Sequence, residues 1–234
     1  MSHGTRHLVF DLDGTLTDPR EGITRCYVHA LEQLGLIAPA AKELEKYIGP
    51  SVREVLAELL ATTDAARVEH AVALYRERFG TVGLFENFPY PEVHATLRAL
   101  AAAGFVLWVC TSKPRIYAQR ILEHFDLARY FRGVYGCELD GALSDKAELL
   151  AHLLEREAIT PSSAIMIGDR KYDVRAAQLN GMQCIGVLYG FGDSIELRET
   201  AAAATCEQFR DLPSVIAVLT VDQSASGAAL EHSK

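Results

Sequence analysis

The stretch HLVFDLDGTLTD, residues 7–18, runs from apolar residues into two aspartates one residue apart and then into glycine and threonine. HLVF has the continuously apolar character of a strand covered on both faces, and GT turns the chain out of it. Asp11 and Asp13 therefore stand at the C-terminal edge of a buried strand, where ligands bind in open α/β sheets. The i, i+2 spacing puts both carboxylates on one side of an extended backbone. Two adjacent carboxylates repel unless a cation or a shared proton intervenes, and a hard divalent cation is the economical solution.

Four further strand-like runs follow: FVLWVCT (105–111), GVYG (133–136), AIMIG (164–168) and CIGVL (184–188). They alternate with helical patterns such as PEVHATLRALAAAG (91–104) and SDKAELLAHLLEREA (144–158). This predicts an α/β fold, a Rossmann-like parallel β-sheet core with helices on both faces. The segment between the first two strands is far longer than one crossover helix needs. Its pattern reads as helices over 21–35, 40–47, 51–61 and 64–80, which predicts an inserted α-helical cap. The expected division is a catalytic core over 1–18 and 88–220, a cap over 19–87, and a flexible tail over 221–234. ENFPYP (86–91) marks the return to the core.

A chain of 234 residues that is 49% hydrophobic can bury a core and carry such an insert. Its net charge of −8 argues against binding nucleic acid or anionic lipid, which needs clustered Lys and Arg. No segment reaches the roughly 18 apolar residues of a membrane span. The five cysteines are scattered without a CxxC pair, which points away from a disulfide framework or a zinc site and towards a cytoplasmic protein. The histidines, His124 among them, show no metal-ligand spacing. Trp108, inside a strand, is expected in the core.

A second carboxylate pair supports the cation. GDRKYD (168–173) also closes a buried strand, with Gly168 read as the turn and Asp169 and Asp173 following it. Magnesium is typically held by one or two carboxylates together with water and phosphate oxygens, which leaves an aspartate for chemistry. Thr111 and Ser112, at the end of another strand, offer hydroxyl and backbone donors to phosphate oxygens, and Lys146 near a helix start adds positive charge.

In this order, DLDGT, TS, an isolated lysine and GDRKYD resemble the four motifs of the haloacid dehalogenase superfamily of phosphohydrolases. The resemblance covers about 7–215, and the helical insert corresponds to that superfamily's cap. PYPEVHATLRAL, TSKP, SDKAELL and GDRKYDV are similar to the phosphoglycolate phosphatase and 5′-nucleotidase-like branch. The resemblance implies an aspartyl-phosphate mechanism in which Asp11 is the nucleophile and Asp13 the general acid and base. It implies Mg2+ held by Asp11, the Asp13 backbone carbonyl and Asp169, with Asp173 ligating through water or orienting the site. Thr111, Ser112 and Lys146 would bind the transferred phosphoryl group.

Haloacid dehalogenases lack an acid at the position of Asp13, because halide needs no proton to leave. Phosphonatases use a cap lysine, and neither Lys42 nor Lys46 sits in a suitable context. The expected substrate is a small phosphate ester of the phosphoglycolate type. A 5′-nucleotidase, a β-phosphoglucomutase-like phosphotransferase and a non-catalytic phosphate-accepting module are the alternatives, in that order. Arg20 and Arg25 in PREGITR (19–25), Tyr47 and Ser51 in YIGPS (47–51), and Arg53 are the candidates for reading the substrate. Lys113, Arg170 and Lys171 read as rim or surface charges. The expected state is a monomer or homodimer.

Overall fold

The computed structural model describes residues 7–220, so the expected tail over 221–234 lies outside the described residues. The elements in chain order are β1 (His7–Phe10), β2 (Thr17–Asp18), α1 (Arg20–Gln33), α2 (Ala41–Leu44), α3 (Val52–Leu59), α4 (Ala65–Phe79) and β3 (Phe88–Pro89). They continue with α5 (Val93–Ala102), β4 (Val106–Pro114), α6 (Arg115–His124), β5 (Phe131–Cys137), α7 (Lys146–Arg156), β6 (Ala164–Gly168), α8 (Lys171–Leu179), β7 (Gln183–Val187), α9 (Ser194–Glu199) and β8 (Ala204–Cys206). Helical residues 212–220 follow.

Six strands form one parallel sheet in the order β5-β4-β1-β6-β7-β8. Alternate residues of each strand feed opposite faces. Phe10, Val109, Ile167 and Ile185 pack in one buried cluster with Leu97 of α5, Ile121 of α6 and Ile216. Val9, Trp108, Met166 and Cys184 pack in the other with Leu149 and Leu153 of α7 and Ala177 of α8. Both faces are therefore dry, which is the physical reason the strands read as unbroken apolar runs. Trp108 is in the core, as expected, and its indole N–H donates to His7 Nδ1 at 3.1 Å.

β1 lies between β4 and β6, with Phe10 opposite both Val109 and Ile167. The chain runs from β1 out to β4 and β5 on one side and then returns to β6 on the other, so the strand order reverses around β1. In an open parallel sheet this opens a crevice at the carboxyl ends of the strands. DLDGT, TSKP and GDRKYD all emerge there.

Several elements differ from the sequence expectation. β4 extends to Pro114, because its pairing with β5 resumes at Pro114↔Cys137 after a register shift. The second cap helix is only Ala41–Leu44, followed by a 3-10 turn over Glu45–Tyr47. The short strands β2, β3 and β8 have no apolar run long enough to announce them.

The chain leaves the sheet at β2 and returns at β3, and these two pair antiparallel, Thr17 with Pro89 and Asp18 with Phe88. The helices α1–α4 lie between them. Glu86, just before β3, accepts from Arg78 Nη1 at 2.7 Å and Nη2 at 2.9 Å and from Arg25 Nη1 at 2.7 Å, while its carbonyl accepts from Gly22 N. One carboxylate thus ties α1, α4 and the return segment. The Arg78 and Arg25 guanidinium groups hold it below the usual carboxylate range, against the smaller effect of burial. A carboxyl lowered on folding stabilises the fold above its unfolded pKa, near about 4.3, and loses that contribution as pH falls through the folded value. Glu86→Gln should therefore cost about 1.5–3 kcal/mol at pH 7, the usual worth of hydrogen bonds to charged groups. Thermal melts of parent and variant should converge only once the pH has fallen below the lowered folded value of Glu86.

Candidate active site

The three strand-end loops build the site from short-range rules. Asp11 N continues the sheet by donating to Ile167 O at 2.9 Å, and the Leu12 carbonyl then accepts from the amides of Thr15, Leu16 and Thr17 in a tight turn. Gly14 has φ +80, and a Cβ there would overlap the Asp169 carboxylate. The glycine of DLDGT is thus required for backbone conformation and for the approach of the two loops. Gly168 corrects the sequence reading, because its φ is not positive. It is small because the Asp173 side chain lies against it.

Asp145 caps α7 by accepting from the amides of Ala147 and Glu148. Lys146 is thereby set in the first helical turn, with Nζ 2.9 Å from Asp11 Oδ2 and in contact with Asp173. Lys113 Nζ is 2.6 Å from Asp13 Oδ2. Asp11, Asp13, Asp169, Asp173, Lys113 and Lys146 are all buried. Four carboxylates against two ammonium groups leave two negative charges, the amount one divalent cation neutralises.

Asp11, Asp169 and Asp173 each present an oxygen, and the three oxygens lie within 4.8 Å of one another. Oδ1 of Asp11, of Asp13 and of Asp169 is buried without a hydrogen-bond partner, and Oδ1 of Asp173 meets the Lys146 ammonium. The opposite oxygens of the last two are engaged, Asp169 Oδ2 by Phe191 N at 2.7 Å and Asp173 Oδ2 by Arg170 N at 3.0 Å. Burial, then the neighbouring Asp173 and Asp11, push Asp169 well above the usual carboxylate range. Burial pushes Asp173 up to about 6, with Asp11 adding to the rise and Lys146 opposing it. Burial also raises Asp13, outweighing the pull of Lys113. Burial works against the charged form of Lys146, but Asp11 and Asp173 outweigh it and hold the ammonium above its ordinary range. Hard oxygen donors with free lone pairs and excess negative charge suit magnesium.

Thr111 is buried, with Oγ1 accepting from Lys113 N at 3.3 Å, and Thr111 and Ser112 line one cavity together with Asp11 and Asp13. The sheet edge therefore gathers Asp11, Asp13, Thr111, Ser112, Lys146, Asp169 and Asp173. The specificity candidates divide. Tyr47, Ser51 and Arg53 line the cavity. Arg20 and Arg25 do not. Arg20 is held by Asp18 and lies over the Phe191 ring, and Arg25 pairs with Glu21 and Glu86. Asp18 and Glu21, close by in the chain, and Glu86, brought in by the fold, hold both guanidinium groups.

Lys113 and Arg170 are not rim or surface charges. Lys113 is buried on Asp13. Arg170 is buried too, donating from Nε to Glu196 Oε1 at 3.0 Å and from Nη1 to the carbonyl of Ile48, which stitches the 47–51 loop to the Asp169 loop. Lys171 is half-buried, its amide donating to Glu196 Oε1 at 2.7 Å. The sequence reading also missed an aromatic wall. Tyr27 and Tyr75 have ring centroids 4.9 Å apart, Tyr75 and Phe79 5.5 Å, and Phe79 and Tyr117 5.3 Å, and all four line the cavity. The i, i+4 spacing of Tyr75 and Phe79 was visible. Spacing alone does not separate a packed helix face from one lining a cavity.

Residues 8–187 match the family model described as haloacid dehalogenase-like hydrolase. A curated 5′-nucleotidase of Pseudomonas aeruginosa is 44% identical over 210 residues, covering 90% of this chain and 95% of the relative. Phosphoglycolate phosphatase 1 of the same organism is 29% identical, covering 88% of this chain and 78% of the relative. The crystal structure of a predicted phosphatase from Clostridium acetobutylicum superposes with a TM-score of 0.87 at 39% identity, covering 91% of this chain and 98% of that one. With the sheet order, the carboxylate cluster and these likenesses together, the chain belongs to the haloacid dehalogenase-like hydrolases, as an enzyme of their phosphatase branch.

Proposed function

We propose that the chain is a magnesium-dependent phosphomonoester hydrolase working through an aspartyl phosphate on Asp11. The observation that carries this reading is two buried aspartates lining one cavity, Asp13 against Lys113 and Asp11 against Lys146, with Asp11 also clustered with Asp169 and Asp173. The Asp11 carboxylate forms the bond to phosphorus as the bond to the ester oxygen breaks, and Asp13 gives that oxygen its proton. Asp13 then takes a proton from the water that attacks the aspartyl phosphate, releasing inorganic phosphate and restoring Asp11. The raised pKa of Asp13 suits a group that must both hold and return a proton near neutral pH.

Thr111, Ser112 and Lys146 bind the phosphoryl oxygens. Asp11, Asp169 and the Asp13 carbonyl hold the magnesium, with Asp173 beside them. Bound there, the ion supplies positive charge against the transferred phosphoryl group. Residues 19–87 act as a cap over the core, hinged on the β2–β3 ribbon, and exclude water from the site. Five free, buried cysteines suit a reducing cytoplasm.

The aromatic wall favours an ester whose leaving group carries a flat ring. Nucleoside 5′-monophosphates are our first substrate reading, ahead of phosphoglycolate; the wall and the 44% identical relative named a 5′-nucleotidase support it. Arg53 and Arg76 on the cavity wall keep a compact carboxylate ester as the second reading. Assay of both ester classes with magnesium tests the choice, and no turnover of any phosphomonoester would overturn the whole reading. EDTA should abolish turnover and lower the melting temperature. An ion bound only by the folded state stabilises it by about 2.7 kcal/mol at 100 times its Kd. Full activity in excess EDTA would remove the metal from this account.

A further inference from the structure

Lys113 is a buried charged group lining the site that the mechanism above leaves without a task. Its side chain is 6% exposed, with Nζ 2.6 Å from Asp13 Oδ2 and 4.5 Å from the centroid of the Phe79 ring. Burying an ammonium is costly, and a lysine on a strand end reaches solvent cheaply when nothing requires it inside. Lys113 instead bridges three elements: its own strand β4, the β1 loop that carries Asp13, and Phe79 at the end of α4. The bond is made to one oxygen only, since Asp13 Oδ1 has no partner. Asp11, its neighbour, has a different lysine, Lys146.

The geometry points to Lys113 as the positioning residue for Asp13, an inference that rests on the acid/base role proposed above. By fixing Oδ2, Lys113 leaves Oδ1 as the oxygen that meets the departing ester oxygen and, later, the attacking water. Two adjacent carboxylates are kept from sharing one cation, so Asp11 stays aimed at phosphorus while Asp13 is aimed past it. The cation–π contact with Phe79 adds a condition. Lys113 is seated fully only when α4 lies against the core, so the orientation of the acid depends on the helices of 19–87 being in place.

The test compares esters that differ in their need for a proton. Lys113→Met keeps the length of the side chain and removes the charge. The single-turnover rate of phosphoryl transfer to Asp11, the step in which the leaving group departs, should fall about 10–100-fold for an alkyl phosphate such as adenosine 5′-monophosphate, part of the usual worth of general acid catalysis. For p-nitrophenyl phosphate, whose leaving group departs without a proton, the fall should stay below about threefold. Lys113→Arg, which keeps a charged donor, should recover part of the alkyl rate. Equal losses on both esters would make Lys113 a phosphoryl-binding or purely structural group, and no loss would make it a bystander. Either result overturns the inference.

In an Asp13→Asn background, Lys113→Met should add little to the alkyl loss, because the group it orients is gone. A second full loss there also overturns it. If Lys113→Met does not fold, Phe79→Leu removes only the ring and should give a smaller loss of the same selectivity in the single-turnover rate, while equal losses on both esters count against the inference. If Asp13→Asn itself leaves the alkyl-to-aryl ratio unchanged, the acid/base assignment fails and this inference falls with it. Retained phosphatase activity with an altered ratio in Asp13→Asn but not in Lys113→Met overturns this inference alone.

Discussion

Asp11→Asn is expected to lower phosphomonoester turnover by at least about 10⁴-fold, the scale on which removal of a covalent nucleophile acts. Asparagine is isosteric, so the turn through Leu12 and Gly14 is retained. What is lost is the oxygen that bonds to phosphorus, together with one of the three clustered carboxylates. Leaving-group activation does not rescue such a variant, so p-nitrophenyl phosphate should be as dead as an alkyl ester. Mass spectrometry after a rapid quench should find no phosphoryl group on residue 11. The fold should survive. In EDTA the substitution relieves repulsion with Asp169 and Asp173 while Lys146 keeps Asp173 as a partner, so melting in EDTA should change little. Turnover by a folded Asp11→Asn protein would show that the reaction is not covalent at this residue.

Asp13→Asn should behave differently, although it lies two residues away. Its loss should be on the order of 10²–10⁴-fold for alkyl phosphates, the usual worth of general acid and base catalysis, and smaller for aryl phosphates. The phosphorylated enzyme should accumulate, because the water that attacks it has lost its base. The magnesium contact assigned to this residue is through the backbone carbonyl, which the substitution keeps. The variant leaves Lys113 buried without its counter-ion, and breaking a buried pair by removing one partner typically costs about 3–5 kcal/mol. A lowered melting temperature with a trapped phosphoryl group on Asp11 is the expected pair of results. If Asp13→Asn is dead and unlabelled while Asp11→Asn still turns over, the roles are exchanged.

The parallel sheet and the location of the site were legible in the chain because both follow from local chemistry. HLVF and AIMIG are dry on both faces, so they read as apolar runs, and each ends on a pair of aspartates whose charge has no place inside a strand. Strand ends in a parallel sheet share one edge, so DLDGT, TS and GDRKYD had to meet there once the topology was α/β. SDKAELL marked the start of a helix near Lys146, and the structure shows Asp145 capping it.

Side-chain destination was a different matter. Lys113 and Arg25 look alike in sequence, each a cation beside a motif. One is buried on Asp13 and the other is paired with Glu21 and Glu86 at the surface. The Glu21 contact of Arg25 is a local i, i+4 pair, but Glu86 and Asp13 come within reach only through contacts between segments distant in the chain, which no local pattern encodes. The same holds for Arg170, whose grip on the Ile48 carbonyl exists only once the 47–51 loop lies over the Asp169 loop. Tyr27, Tyr75, Phe79 and Tyr117 had the spacing and apolarity of ordinary packing residues, and only the seating of α1 and α4 above the sheet edge turned their rings into a cavity wall. The sequence by itself determined the α/β sheet and the acidic strand ends, because burial and charge act on each strand separately. The tertiary structure alone decided which cations guard the aspartates and what shape the substrate meets, because long side chains take their partners from whatever the fold brings near.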